Sequence, residues 1–321
     1  MKNSLKFIRA FAVTIALIIC LIVLCGFYNY TAIDGCLKID KENNALISDS
    51  EQIKILQLTD VQFQSYISQS VAFYAIKKTV RKINPDMICF TGDMLDNKSN
   101  ENHLRAFITF MDSFECPWAV TMGNHDYKSN VSMLVQDEIY SSAENCLYKK
   151  GDIESSFGNY HYNIIYNDKA VFSLVFMDSM IDGFTLEHAL WYEQTISKNC
   201  VLLDGAIIPS FVFYHIPTVD TVNAIKLYDE NSTIGTGEIN ESVDAQKSDV
   251  GLFDKIYRLG STKAVFYGHD HVNNAIIDYN GIKLCYGLKT GRTSYFDKSL
   301  QGGNLITLNA NGSFDVARIF I

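Results

Sequence analysis

Trp118-Ala119-Val120-Thr121-Met122-Gly123-Asn124-His125-Asp126 is a short apolar run that stops abruptly in a glycine, an amide, an imidazole and a carboxylate. An apolar run of this length reads as a buried strand, so its metal-ligand chemistry arrives at the edge of a sheet. Four further runs do the same. Ile53–Leu58 leads into Asp60-Val61-Gln62, Met87–Phe90 into Gly92-Asp93-Met94-Leu95-Asp96, Phe211–Tyr214 into His215, and Ala264–Tyr267 into Gly268-His269-Asp270-His271. Singly, each is an ordinary capped turn. Five in one chain bring Asp, Asn and His to one rim, where ligands bind in open α/β sheets.

The 321 residues, 48% hydrophobic and 20% charged, suffice for one globular domain with a full core. A net charge of −9, with 21 Lys scattered among carboxylates and only 6 Arg, argues against binding long nucleic acid, which needs clustered cations. The eight Cys form no framework: Cys89 and Cys285 sit in strand-like runs, and Cys36, Cys116, Cys146 and Cys200 could pair only if the domain is exported. Lys2, Lys6 and Arg9 precede an apolar stretch from Ala10 to Tyr28, close to the ~20 residues that span a bilayer. Residues 1–28 are therefore expected to be an uncleaved transmembrane helix, with a cleaved signal segment and secretion as the alternative. The positive flank puts the remainder outside the cytoplasm. Residues 29–50 read as a polar linker and 51–321 as the catalytic domain.

Helical spacing before Pro85 predicts a helix over 68–84, and further helices are expected over 101–114, 131–140 and 186–198, the last with Leu190, Trp191 and Ile196 facing inward. Asn167-Asp168-Lys169 joins two strands as a hairpin, and 229–250 is a long polar loop. Helices set apart from mixed strands suggest two sheets packed face to face.

Read in order, the five motifs resemble the signature of the calcineurin-like metallophosphoesterases: D-x-H, G-D-x-x-D, G-N-H-[DE], a strand-end His and G-H-x-H. The resemblance covers about residues 53 to 321. Within that family, FYHIP (213–217), GLFDKIYRLGSTKAVFYGHDHVNN (251–274) and LCYGLKTGRTSY (284–295) resemble the branch of plant purple-acid-phosphatase-like proteins and a yeast cell-cycle regulator phosphatase. The resemblance implies an α/β fold, a four-layer α/β/β/α sandwich of two mixed sheets. It implies a centre of two divalent or trivalent metal ions (Mn, Fe, Zn or Mg) that hydrolyses a phosphomonoester or small phosphodiester by attack of a hydroxide held between the metals. Asp93 bridges both ions in this scheme. Asp60, Gln62 and His271 complete one, and Asn124, His215 and His269 the other. His125, oriented by Asp96, serves as acid to the leaving oxygen or as a clamp on the phosphoryl group.

Two positions depart from the pattern. Gln62 stands where the family has His, and an amide carbonyl is a weaker donor to transition metals than imidazole. Asn97 stands where phosphoprotein phosphatases of the family carry Arg, which leaves Lys128 or Arg292 as phosphate clamps, with an ordinary exposed charge as the alternative for each. Gln62 is also the one feature that favours a non-catalytic metal- or ligand-binding module. His103, His161 and His188 lie in no ligand pattern and are expected at the surface or in hydrogen bonds.

Overall fold

A computed structural model describes Thr14, Gly35, residues 37–201 and residues 205–321. The anchor expected at 1–28 lies, Thr14 apart, outside the described residues, as do Cys20, Cys25 and Cys36. Among the described residues no helix is long and apolar enough to cross a membrane.

The first described elements are a hairpin, β1 (Leu37–Asp40) and β2 (Ala45–Ser48), inside the segment expected to be a linker. β2 pairs with a later strand from Ala45–Asn163 to Ser48–Tyr166, and Leu37, Ala45 and Leu46 are buried, so residues 37–48 are part of the folded domain rather than a linker ahead of it. Strands of four residues, with two or three apolar side chains each, were too short to show against polar surroundings.

Next come β3 (Gln52–Leu58), α1 (Tyr66–Ile83), β4 (Met87–Thr91), α2 (Glu101–Asp112) and β5 (Trp118–Thr121), a parallel unit with two crossover helices. α1 starts at a Ser65–Ser68 capping box and stops at Asn84, whose φ of 48° lies in the left-handed region just ahead of Pro85. The short α3 (Asn124–Lys128) and α4 (Met133–Ser142) follow. β6 (Tyr160–Tyr166) and β7 (Lys169–Phe176) form the expected hairpin, with Asn167 and Asp168 at φ 49° and 58° as its two-residue primed turn. α5 (Leu186–Asn199), β8 (Ser210–Phe213), α6 (Val219–Glu230), β9 (Gly235–Thr236), α7 (Leu252–Leu259) and β10 (Thr262–Tyr267) lead to the closing strands β11 (Ile276–Tyr279), β12 (Ile282–Tyr286), β13 (Gly302–Asn309) and β14 (Phe314–Phe320).

Two mixed sheets result, one of nine strands ordered β1-β2-β6-β7-β8-β10-β12-β11-β9 and one of five ordered β14-β13-β3-β4-β5. Strand alternation decides what lies between them. From β8, Phe211 and Phe213 point to the other sheet, Phe211 meeting Phe314 at 5.0 Å between ring centroids. Phe213 stacks between Phe176 and Phe266, each at 5.0 Å. Their neighbours Val212 and Tyr214 point outward into a cluster with Ala189, Tyr192 and Ile196 of α5, Ala224 and Ile225 of α6, and Phe253 and Ile256 of α7. On the far side, Phe107 of α2 packs on Phe90 at 5.2 Å and Trp118 at 5.6 Å, and Phe110 stacks on Phe73 of α1 at 4.0 Å. The layers are therefore helix, sheet, sheet, helix. In α5, Ile196 is buried and Trp191 packs half-buried on the core as expected, joined by Ala189 and Tyr192, whereas Leu190 is exposed. Within the expected polar loop 229–250, Gly235 and Thr236 add a two-residue edge to β11. Cys146 and Cys200 are free and buried, and Cys116 is buried with Sγ near Pro85 O and Pro117 O.

Candidate metal centre

β3, β4, β5, β8 and β10 deliver their motifs to the same rim, and the loops there are laced by main-chain bonds. Asp60 N–H donates to Gly92 O at 3.2 Å, Gln62 N–H to Asp93 O at 3.0 Å, and Phe63 N–H to Met94 O at 3.1 Å. Asp126 is the knot. Its buried carboxylate accepts the N–H groups of Gly123 and Asp93 at 2.9 Å and of Leu95 at 2.8 Å, so it fixes two ligand loops without facing the centre itself. Asp60, Gln62, Asp93 and His269 all have positive φ, 53°, 49°, 54° and 78°. Non-glycine residues hold such φ values only when their surroundings over-determine them, and they gather at functional sites. Close approach explains two glycines: a Cβ at Gly123 would lie 2.2 Å from Asp93 Oδ1, and one at Gly268 would lie 2.4 Å from Asp60 Oδ2.

Three imidazoles are held by their outer nitrogens. His215 Nδ1 bonds Thr91 O at 2.8 Å, and His271 Nδ1 bonds Tyr295 O at 3.0 Å while its ring stacks on that of Tyr295. A carbonyl only accepts, so each Nδ1 carries the proton and each Nε2 turns its lone pair inward. His215 Nε2 then lies 3.2 Å from Asp93 Oδ2, and His271 Nε2 lies 3.3 Å from Asp60 Oδ1. His269 is reversed: Nε2 meets Asp244 Oδ2 at 3.3 Å, leaving Nδ1 facing His215 Nε2 at 3.3 Å. Lone pairs and carboxylate oxygens facing one another at such distances need a cation between them. Asp60 Oδ1 and Asn124 Oδ1 are, besides, buried without a hydrogen bond. Ligand atoms of Asp60, Asp93 and His271 all lie within 4.8 Å of one another. Carboxylate, amide oxygen and imidazole nitrogen form a donor set suited to Zn, Mn or Fe, and the residues fit a metal centre.

The electrostatics agree. Burial alone pulls His215 down, but Asp93 and Asp60 outweigh it and hold the imidazole up at about 10, so a proton fills the place of the cation. Burial would raise Asp60, yet the imidazole of His271 beside it and the charges of His215, His271 and Lys289 bring it well below the usual carboxylate range. His269 is lowered by burial and by the charge of His215.

Six of the seven expected ligand positions thus meet, and Asn124 follows Gly123 on the adjoining loop with its Oδ1 buried and unbonded, but position 62 differs in kind. Gln62 Oε1 accepts Lys289 Nζ at 2.6 Å, and its Nε2 faces Asp93 Oδ2 at 3.4 Å. The amide therefore presents its N–H2 end, not its oxygen, to the bridging carboxylate. Lys289 was not anticipated. It is 1% exposed, also donates to Asp60 O at 3.0 Å, and burial draws it down to about 8 although Asp60 and Asp93 pull the other way. It reaches the centre because β12 runs parallel to β10, which carries the residues after Tyr286 to the same rim. Asp244 and Asp126 also went unread as positioning groups. His125, half-exposed, donates its N–H to Asp93 Oδ1 at 2.8 Å, and its Nδ1 stands 3.9 Å from Asp96 Oδ2, which Gln64 Nε2 holds at 3.0 Å. Lys128 and Arg292 are exposed, Arg292 bonding Gln301 Oε1. His103 and His188 are buried and hydrogen-bonded.

A model of the calcineurin-like phosphoesterases matches residues 53–273, and the chain belongs to that family. It is 25% identical over 290 residues to probable inactive purple acid phosphatase 29 of Arabidopsis thaliana, covering 76% of this chain and 73% of that one. It is 27% identical over 282 residues to phosphatase DCR2 of Saccharomyces cerevisiae, covering 75% of this chain and 48% of that one. Among solved structures, a dimetal phosphatase from Danio rerio superposes with a TM-score of 0.53 at 13% identity, over 83% of this chain and 98% of that one, a likeness of fold.

Proposed function

We propose that this protein is a metal-dependent phosphoesterase that hydrolyses a phosphomonoester or small phosphodiester. The observation that carries the proposal is the set of three imidazoles whose outer nitrogens are tied to oxygen acceptors while their inner nitrogens turn to one centre, His215 to Asp93, His271 to Asp60 and His269 to His215 Nε2. Two bound ions would supply an activated water and neutralise the phosphoryl oxygens. Asp93 would bridge them, Asp60 and His271 hold one, and Asn124, His215 and His269 hold the other. His125 stands at the open side of Asp93 and hands a proton to the leaving oxygen. Asp96 Oδ2, 3.9 Å from His125 Nδ1, lies on the side of the ring from which it can orient the imidazole.

Full-length protein stripped with chelator and reloaded with Mn²⁺ is expected to hydrolyse p-nitrophenyl phosphate or its bis ester. No turnover with Mn²⁺, Zn²⁺, Fe²⁺ or Mg²⁺ by a protein that does bind metal would leave the second reading, a metal-binding module without turnover. That reading is favoured by the Lys289 ammonium on Gln62 and by a relative that carries the word inactive in its name.

Lys2, Lys6, Arg9 and the apolar run after them support a membrane anchor with the phosphoesterase domain outside the cytoplasm. Protease added outside intact cells is expected to digest the domain; full protection would refute this topology.

A further inference from the structure

We propose that Lys289 locks the Gln62 amide away from the metals and so makes the two halves of the centre unequal, the Asp60–Asp93–His271 half being the weaker and exchangeable one. This rests on the dimetal reading above but not on turnover. Every polar atom of Gln62 is engaged: N–H to Asp93 O at 3.0 Å, C=O from Thr293 Oγ1 at 2.6 Å, Oε1 from Lys289 Nζ at 2.6 Å, and Nε2 toward Asp93 Oδ2 at 3.4 Å. The side chain is fully buried. To ligate, the amide would have to flip and turn Oε1 inward. The flip would set Nε2, which only donates, against an ammonium, which only donates. Lys289 cannot withdraw, because its Nζ is enclosed and bonded to Asp60 O as well.

The consequence is one-sided. One half of the centre offers Asp93, Asn124, His215 and His269. The other offers Asp60, Asp93 and His271, with a fixed positive charge on the main chain of Asp60. A lost donor and a like charge both weaken cation binding. Position 62 is thus a latent ligand, held out of use by a lysine from the segment that follows β12.

Metal-free full-length protein titrated with Mn²⁺, followed by calorimetry and by the paramagnetic resonance of free Mn²⁺, reads the two affinities without any hydrolysis. Wild type is expected to show two events at least about tenfold apart in Kd. Lys289→Met keeps the stem, removes the charge and frees the amide, so the weaker Kd is expected to tighten about tenfold or more while the stronger shifts less than about threefold. Gln62→Ala in the wild-type background is expected to leave both within about threefold. Two indistinguishable sites in wild type, an unchanged weaker Kd in Lys289→Met, or loss of the weaker site in Gln62→Ala would each overturn the proposal. Should Lys289→Met not fold, wild type and Gln62→Ala still decide. Absence of any bound Mn²⁺ would instead remove the dimetal reading itself.

Discussion

Asp93 is where the centre is most concentrated. Its Oδ1 accepts His125 N–H, its Oδ2 faces His215 Nε2 and Gln62 Nε2, and its backbone is pinned at positive φ by Asp126. Asp93→Asn swaps one anionic oxygen for an N–H2 donor that cannot bridge cations. Bound metal per chain, by elemental analysis, is expected to fall, and hydrolysis to drop about a hundredfold or more; full metal content with unchanged turnover would contradict the bridging role. Residues of this kind were legible in the sequence because carboxylates, amides and imidazoles after apolar runs have few other reasons to recur. Lys289 was not legible, since a lone lysine between Leu288 and Thr290 carries no local pattern, and its partner is 227 positions away. Gln62 was legible as an anomaly but not as a solution. Its amide orientation is set by an electrostatic constraint from the distant segment after β12, and spacing cannot express that.

At the scale of elements, two helices share a cap that links the fold to pH. In α2, His103 Nδ1 accepts Asn100 N–H at 3.2 Å; in α5, His188 Nδ1 accepts Thr185 N–H at 3.2 Å and lies 2.8 Å from Thr185 Oγ1. His188 Nε2 donates to Ser156 Oγ at 3.0 Å, whose own proton goes to Asp178 Oδ2, so the neutral tautomer is fixed. Protonation at Nδ1 would face the cap N–H directly, and burial lowers His188 to about 4. Because this folded value is depressed, its contribution is complete above the unfolded value near 6.5 and is lost as pH falls toward 4, an amount of roughly 3 kcal/mol at about 1.4 kcal/mol per pH unit. Urea unfolding at pH 7 and pH 4.5 is expected to show that loss in wild type and a clearly smaller one in His188→Gln. Equal losses in the two proteins would mean that His188 does not titrate with folding. The strand-to-loop junctions invite a second test. Gly123→Ala puts a methyl 2.2 Å from Asp93 Oδ1, and is expected to cost about 1–3 kcal/mol by overpacking and to lower bound metal, whereas Ala at the exposed Gly281, which meets nothing within 4 Å, leaves the metal content unchanged.

For the whole molecule, the two sheets meet at the rim where unlike charges are buried together, so a metal bound there would be thermodynamically linked to the fold. Five strands from both sheets lead into the candidate ligands: β3, β4 and β5 of the five-stranded sheet run into Asp60, Asp93 and Asn124, and β8 and β10 of the nine-stranded sheet into His215 and the pair His269 and His271. Unfolding separates the sheets and destroys the centre. Any ion bound only by the folded chain must therefore stabilise it, by about 2.7 kcal/mol per site at a hundredfold excess over Kd. For a domain of this size that amounts to roughly 5 °C in Tm. Calorimetric scans with excess chelator and then with Mn²⁺ restored are expected to differ by at least that much, and Asp93→Asn is expected to lose the response. The size of the response also separates the two halves of the centre: at a Mn²⁺ concentration near the wild-type weaker Kd, Lys289→Met should gain more from metal than wild type does, because its weaker site is more fully occupied at that concentration. A Tm indifferent to metal in every protein would show that protons, with His215 held near 10 by Asp93 and Asp60, already balance the buried carboxylates and that no ion is needed to hold the two sheets together.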